Sequence, residues 1–175
     1  MKHVLTISII ALMLCVALSA VAADAPAKVK LGVYDSRAIA IAWARTPAFA
    51  ESIKQLRAEF MSAKEAKDEK RTQELEQQGQ WMQVRMHQRG FSTAGAADLL
   101  GELKSLLPAI AKEAGVIAIV SKWELPFSDP AVELVDVTAQ VVALFHPDEE
   151  TQQILGELKD RPPVPFNELP LNPND

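Results

Sequence analysis

The sequence predicts an α+β protein in which an antiparallel, coiled-coil-like helical hairpin is inserted into a small antiparallel sheet body. The hairpin is indicated by four residue pairs whose position numbers each add up to 135, namely Phe49 with Met86, Ile53 with Met82, Leu56 with Gly79 and Phe60 with Leu75. On both arms these positions are spaced by 4, 3 and 4 residues, which is typical of a seam between two helices rather than of a strand. Short apolar runs before and after this stretch predict the strands of the body.

The N-terminal segment has the three regions of a secretory signal peptide. A basic start is followed by an apolar run over 4–17 and by small residues over 18–23. We predict that residues 1–23 form the signal peptide, with cleavage after Ala22 or Ala23. The alternative is an uncleaved membrane anchor, which is disfavoured by the small residues that follow the apolar run. Because Cys15 is the only cysteine, the exported chain would contain no thiol and no disulfide.

The body begins with a strand over 29–34, which ends at Asp35. We expect the Asp35 side chain to cap a short helix that starts at Ser36, because an N-cap carboxylate accepts the first unpaired amide protons of a helix. Thr46 followed by Pro47 repeats this start signal, with Pro at the first helical position. The outgoing arm of the hairpin is therefore predicted to begin at Pro47.

We predict that the hairpin occupies 47–89 and reverses at the bond between Lys67 and Asp68. The two arms are then about equally long, at about 1.5 Å per residue, so the second arm returns to the body. The alternative is one continuous helix over 47–89 with its tip in the glycine-containing segment 90–95. That layout leaves a return helix about half as long, too short to retrace the path.

After the hairpin the sequence predicts a helix over 97–114, which Pro108 kinks or restarts and which Gly115 closes as a left-handed cap. A second strand is predicted over 116–120, and 123–127 with 132–135 is predicted to form either a third strand or an extended edge around 128–130. Asp136 is expected to cap a helix over 137–145. The body thus comprises 28–46 and 108–146, within a domain over 24–160.

The C-terminal part of the chain divides into two predicted segments. A short helix is expected over 149–159. The last segment, 161–175, contains five prolines and is predicted to be extended, either disordered or laid on a neighbour. Residues 146–175 carry seven acidic and two basic residues, so this end of the chain is acidic.

The residue patterns exclude several function classes. No basic stripe with interleaved aromatic residues is present, which disfavours nucleic acid as a partner. No glycine-rich phosphate loop and no metal-site spacing of His, Asp or Glu is found, so neither a cofactor nor a metal is predicted. Asp35 and Asp136 are candidates for a catalytic carboxylate pair, but each stands where a helix needs a cap. We therefore predict no enzyme and no catalytic residue.

Three segments in order resemble the Skp/OmpH family of periplasmic chaperones. They are the strand and turn over 31–37, the stretch 110–116 leading into a strand, and Val135-Asp136-Val137-Thr138 leading into a helix. The resemblance covers about 29–146. It implies a periplasmic trimer whose sheet bodies associate and whose arms enclose unfolded outer-membrane proteins without ATP. The arms are shorter than the family's, and 49–89 carries a net charge of only +1, so the chain resembles a divergent member suited to smaller clients.

Four apolar residues fall beside the hairpin seam and are candidates for client binding: Met61, Trp81, Val84 and Phe91. The alternative is that they pack against the body or against helix 97–107. Two hypotheses for the function follow. The chain is either a holdase that shields unfolded outer-membrane or envelope proteins between its arms, or an envelope adaptor that docks a folded partner, for instance through its proline-rich tail.

Overall fold

A computed structural model describes residues 28–169, apart from the side chain of Glu102. The predicted signal peptide and residues 170–175 of the tail lie outside this range. The elements are, in chain order, β1 Lys30–Tyr34, α1 Ser36–Ala44, α2 Pro47–Glu65, α3 Glu69–Phe91, a 3₁₀ helix Gly101–Leu106, α4 Leu107–Ala114, β2 Ile119–Ser121, β3 Glu133–Asp136, α5 Thr138–Ala143, α6 Glu149–Leu158 and a 3₁₀ helix Phe166–Glu168. The described chain is therefore mostly helical.

The three strands form a parallel sheet, so the predicted antiparallel body is wrong. The strand order is β2-β1-β3, with Gly32 opposite both Ile119 and Val135. Between β1 and β2 the chain passes through four α-helices, which bring it back to start β2 in the same direction. Between β2 and β3 it uses the segment 122–132, and at about 3.3 Å per residue this is long enough to return past the short strands. The segment 123–127, predicted as strand or extended edge, lies in this connection.

One face of the sheet packs against the helices. Tyr34, Ile119 and Val135 join a core with residues of α1, α4 and α5, in which Ile39, Val137 and Val141 are fully buried. A Cβ atom at Gly32 would lie 3.1 Å from atoms of Val116, Ala118 and Ile119. Glycine at this position of the central strand therefore accommodates the close approach of the chain leading into β2.

The opposite face of the sheet carries apolar residues that do not belong to this core. Val33 and its register partner Val120 lie on it, as do Leu31 and its partner Leu134. Leu134 remains 48% exposed. Parallel sheets are normally covered on both faces. Val33 is nevertheless buried, so the exposed apolar surface of this face lies around Leu134, with Leu31 partly exposed beside it.

α2 and α3 pack side by side as a hairpin. The chain reverses at 66–68, where Lys67 adopts a positive φ of 57°. Thr46 Oγ1 accepts a hydrogen bond from Phe49 N at the start of α2, and Asp68 Oδ1 accepts one from Arg71 N at the start of α3. Across the hairpin, the Cβ position of Gly79 lies 3.9 Å from Leu56 Cδ2. The arms are thus delimited by caps and joined along the apolar seam.

Two further predictions differ from the structure. The stretch 97–114 is not one helix, because turns and the 3₁₀ helix precede α4, which starts at Leu107 immediately before Pro108. Asp136 is not the N-cap of α5, since Val137 holds that position; Asp136 Oδ1 instead accepts a hydrogen bond from Thr138 N at 2.8 Å. Gly115 ends α4 with φ 66° in the left-handed region.

The described part of the tail lies on the body. Val164 N donates a hydrogen bond of 2.8 Å to the carbonyl of Phe91, and the side chain of Leu169 is buried. Among residues 28–169, no helix combines the length and the apolar composition that crossing a membrane requires.

Candidate functional site

The helical hairpin is the candidate functional site because its apolar residues are only partly covered. Across α2 and α3, the buried residues are Ala63, Leu75, Arg89 and Gly90. The other seam residues, Phe49, Ile53, Leu56, Phe60, Gly79, Met82 and Met86, are partly exposed. A two-helix layer covers its seam from one side only, so the arm retains apolar surface that a further layer could bury.

A groove of about 460 Å³ lies along α3 where the hairpin meets the body. Its apolar lining is formed by Trp43, Trp81, Met82, Met86 and Leu99. Trp81 is 68% exposed, which is unusual for so large an apolar side chain. Methionine side chains are flexible and polarizable, which suits a surface that accommodates varied apolar partners. The groove therefore has the composition of a site for apolar segments.

Charged residues fix the wall of this groove. The buried Arg89 donates through Nη2 to both carboxylate oxygens of Asp98 at 2.7 Å, and through Nε to the Gly95 carbonyl at 3.1 Å. Arg85 Nη2 lies 3.5 Å from the same carboxylate. Burial raises the pKa of Asp98, but the hydrogen bond and charge of Arg89 outweigh it and lower that pKa. The ion pair therefore ties α3 to the loop that follows it and leaves Arg85 at the groove surface.

The structure does not bring the four predicted client residues into one patch. Only Trp81 lines the groove. Val84 is partly exposed, and Met61 is 49% exposed near the far end of α2. Phe91 is 54% exposed at the end of α3, where its ring meets that of His87 and its carbonyl accepts from the tail. Trp43, Leu99 and Asp98 are groove residues that sequence reasoning missed, because they come from outside the hairpin.

Asp35 is the centre of a second polar cluster, at the end of β1. Its carboxylate accepts hydrogen bonds from Arg37 Nη2 at 2.7 Å and from Trp123 Nε1 at 3.0 Å, and Lys122 Nζ lies 2.9 Å away. It also accepts from the backbone N of Arg37, so it acts as the N-cap of α1. Arg37 reaches further and donates to the Arg161 carbonyl at 2.8 Å. The cluster joins β1, α1, the chain after β2 and the start of the tail.

The electrostatics of Asp35 indicate a structural role for this carboxylate. Burial alone raises its pKa, but the hydrogen bonds from Arg37, Trp123 and Lys122 outweigh burial and hold the pKa far below its usual value. A carboxylate that is so fully engaged stays ionised at neutral pH and is a poor proton acceptor. Within residues 28–169, no group of three or more His, Cys, Asp or Glu side chains is arranged to hold a metal ion.

Comparisons with known proteins do not place this chain in a family. No family model, no curated protein and no solved structure matches it. The likeness to Skp/OmpH chaperones therefore remains a prediction from the short sequence motifs.

Proposed function

We propose that this protein is an ATP-independent holdase of the bacterial periplasm that binds apolar segments of unfolded outer-membrane or envelope proteins along its helical hairpin. The observation that carries the proposal is the groove at the base of the hairpin. There the exposed Trp81 lies with Trp43, Met82 and Met86 beside Arg85 at the groove surface. Apolar and aromatic contacts give affinity without fixed geometry, which is what binding of varied unfolded chains requires.

The partly covered seam supports this function. A small sheet body fixes one end of the two arms, so the apolar surface of α2 and α3 can bind a client. The fold does not depend on the burial of this surface. The client is then held by binding alone, so neither a chemical step nor a nucleotide is needed.

Association of several copies is part of the proposal. The exposed part of this sheet face, at Leu134 and the partly exposed Leu31, is the surface that we assign to self-association, because a parallel sheet is stable when both faces are covered. Self-association through this face would place several hairpins around one client. The trimer implied by the family resemblance is compatible with this arrangement.

The tail contacts disfavour the adaptor hypothesis. Residues 161–169 are held by the Val164 to Phe91 and Arg37 to Arg161 hydrogen bonds and by the burial of Leu169. This part of the tail is therefore held against α1 and the end of α3 rather than extended freely, with Phe166 as its most exposed apolar side chain.

The test is a dilution experiment. An outer-membrane β-barrel protein unfolded in urea is diluted into buffer with and without the purified protein, while light scattering reports aggregation and mass spectrometry reports complexes. We expect suppressed aggregation and a discrete complex. Trp81→Ala should weaken the suppression at least several-fold, whereas Leu106→Ala, which truncates another exposed apolar residue outside the groove, should not. Unchanged aggregation in the presence of folded wild-type protein would refute the holdase function.

A further inference from the structure

A second cavity lies at the carboxyl edge of the sheet, away from the hairpin. Its volume is about 620 Å³, and no residue of α2 or α3 lines it. Asp35 follows β1, Lys122 follows β2 and Asp136 ends β3, and all three line the cavity. β2 and β3 lie on opposite sides of β1, so the strand order reverses at this edge of the sheet. In open parallel sheets, ligands bind in the crevice outside the carboxyl ends of the strands at such a point.

The wall formed by α5 and α6 is mostly apolar, with Thr138 and Gln152 as its polar side chains. Val142, Leu155 and Leu158 line it. The volume of the cavity falls within the range of about 300–1,000 Å³ that is typical of small-molecule sites. Such sites also combine an apolar lining with a few polar groups. The cavity therefore suits a small ligand with an aliphatic body better than a wholly polar one.

The charged groups around the cavity favour an anion. Arg37 already neutralises Asp35, so the second cation on that carboxylate, Lys122, brings a surplus positive charge to the cavity wall. Lys159 and His146 also line the cavity, and neither side chain forms an ion pair or hydrogen bond with any other part of 28–169. The opposing charge is that of Asp136, whose Oδ1 accepts the Thr138 amide proton. Arg37, Lys122 and Lys159 together carry three positive charges, against the two negative charges of Asp35 and Asp136.

The backbone at His146 is a further sign of a specialised site. His146 has φ 52°, a left-handed conformation that glycine or asparagine adopts at lower cost. It lies three residues after the end of α5 and is followed by Pro147, which also lines the cavity. Strained residues of this kind are concentrated at ligand sites.

We propose that this cavity binds a small aliphatic monocarboxylate. Its carboxylate lies against Lys159 and Lys122, and its hydrocarbon body lies against Val142, Leu155 and Leu158. One negative charge matches the single surplus positive charge, whereas a second would face Asp136. The site is independent of the client groove, so it goes beyond the proposed holdase function.

The test uses the full protein and octanoate as the probe, with 1-octanol and octylammonium as matched ligands of equal chain length. Isothermal titration measures affinity, and amide chemical shifts in NMR locate the site. We expect saturable octanoate binding with shifts in α5 and α6, weaker octanol binding, and no octylammonium binding. Lys159→Met should weaken octanoate by about fivefold and leave octanol unchanged, whereas the exposed Lys104→Met should change neither.

A second variant separates loss of charge from loss of space. Ala143 is exposed and lines the cavity, so Ala143→Leu fills it without altering any charge and should weaken both octanoate and octanol. Equal affinity for octanoate and octanol would overturn the assignment of an anion. Tighter binding of octylammonium, or no saturable binding of any probe by the folded protein, would also overturn it.

Discussion

Trp123 and Asp35 are 88 positions apart in the chain, yet the indole Nε1 donates a hydrogen bond of 3.0 Å to Asp35 Oδ1. Arg37 engages the other carboxylate oxygen of Asp35 at 2.7 Å, with both side chains almost fully buried. The Arg37 side chain also lies over the Trp123 ring, 5.3 Å from its centroid. This contact fixes the chain after β2 to the end of the central strand, so the stability of the body depends on one carboxylate.

Asp35→Asn should strongly destabilise the protein. The substitution keeps the shape of the side chain but leaves the Arg37 guanidinium buried without a counter-charge, which costs about 3–5 kcal/mol. Urea denaturation followed by circular dichroism measures the loss. Asp136→Asn is the matched control, because Asp136 is exposed and its amide variant still accepts the Thr138 proton, so we expect a change within about 0.5 kcal/mol. Equal losses in the two variants would contradict the assigned role of Asp35.

The stability of the protein should fall in acid, and Asp35 should contribute to the fall. Its pKa is lower in the folded protein than the value of about 3.9 for an unfolded chain, so its contribution is fully present above about pH 5. It is lost progressively as the pH drops below about 4 toward the folded pKa. The pKa of Asp98 is also lowered in the folded protein, so Asp98 contributes to the same loss of stability in acid.

The measurement is the urea midpoint between pH 7 and pH 2.5 for the wild type and for Asp35→Asn. We expect the wild-type midpoint to be level near neutrality and to decline below pH 4, with a shallower decline in the variant. Parallel curves would show that Asp35 does not link folding to protonation.

Leu75→Ala should destabilise the hairpin. Leu75 is only 2% exposed and is the most buried apolar residue of the two arms, so truncation leaves a cavity in the seam and costs about 2–5 kcal/mol. Met61→Ala, which truncates an exposed residue of the same arm pair, should cost less than 1 kcal/mol. Native-state hydrogen exchange of α2 and α3 distinguishes local opening of the hairpin from global unfolding. Similar exchange in both variants would refute the importance of the seam.

Two glycine substitutions should have opposite effects. Gly32→Ala places a methyl group 3.1 Å from backbone and side-chain atoms leading into β2, so the central strand must shift and the protein should lose stability. Gly79→Ala places its methyl group 3.9 Å from Leu56 Cδ2 across the hairpin, an ordinary van der Waals contact, and should stabilise α3 by about 0.5–1 kcal/mol. Thermal denaturation of the two variants checks both signs. A stabilising Gly32→Ala would show that the sheet has room that the structure does not indicate.

Local features of the fold followed from short stretches of sequence. Thr46 and Pro47 start α2, Asp68 caps α3 and Gly115 ends α4 in the left-handed region, because each acts through hydrogen bonds or dihedral preferences within a few residues. The seam periodicity is also local to each arm. These signals do not depend on how the rest of the chain is arranged.

The site residues were accessible to sequence reasoning only in part. Trp81 could be singled out because it lies beside a periodic seam. Trp43 and Leu99 could not, because they reach the groove from α1 and from the loop after α3, and no spacing rule connects them to α3. Residues that meet only after the helices pack leave no periodic signal.

The sequence by itself determined where the two helices of the hairpin begin, because their start signals at Thr46 and Asp68 act through local hydrogen bonds. Only the tertiary structure decided the direction and order of the strands. Side chains alternate between the two faces of the sheet in parallel and antiparallel strands alike, so strands as short as these do not indicate their direction; the path of the connections through α1–α4 and 122–132 sets it. The parallel arrangement in turn brought Asp35, Lys122 and Asp136 to one edge of the sheet and created the cavity there.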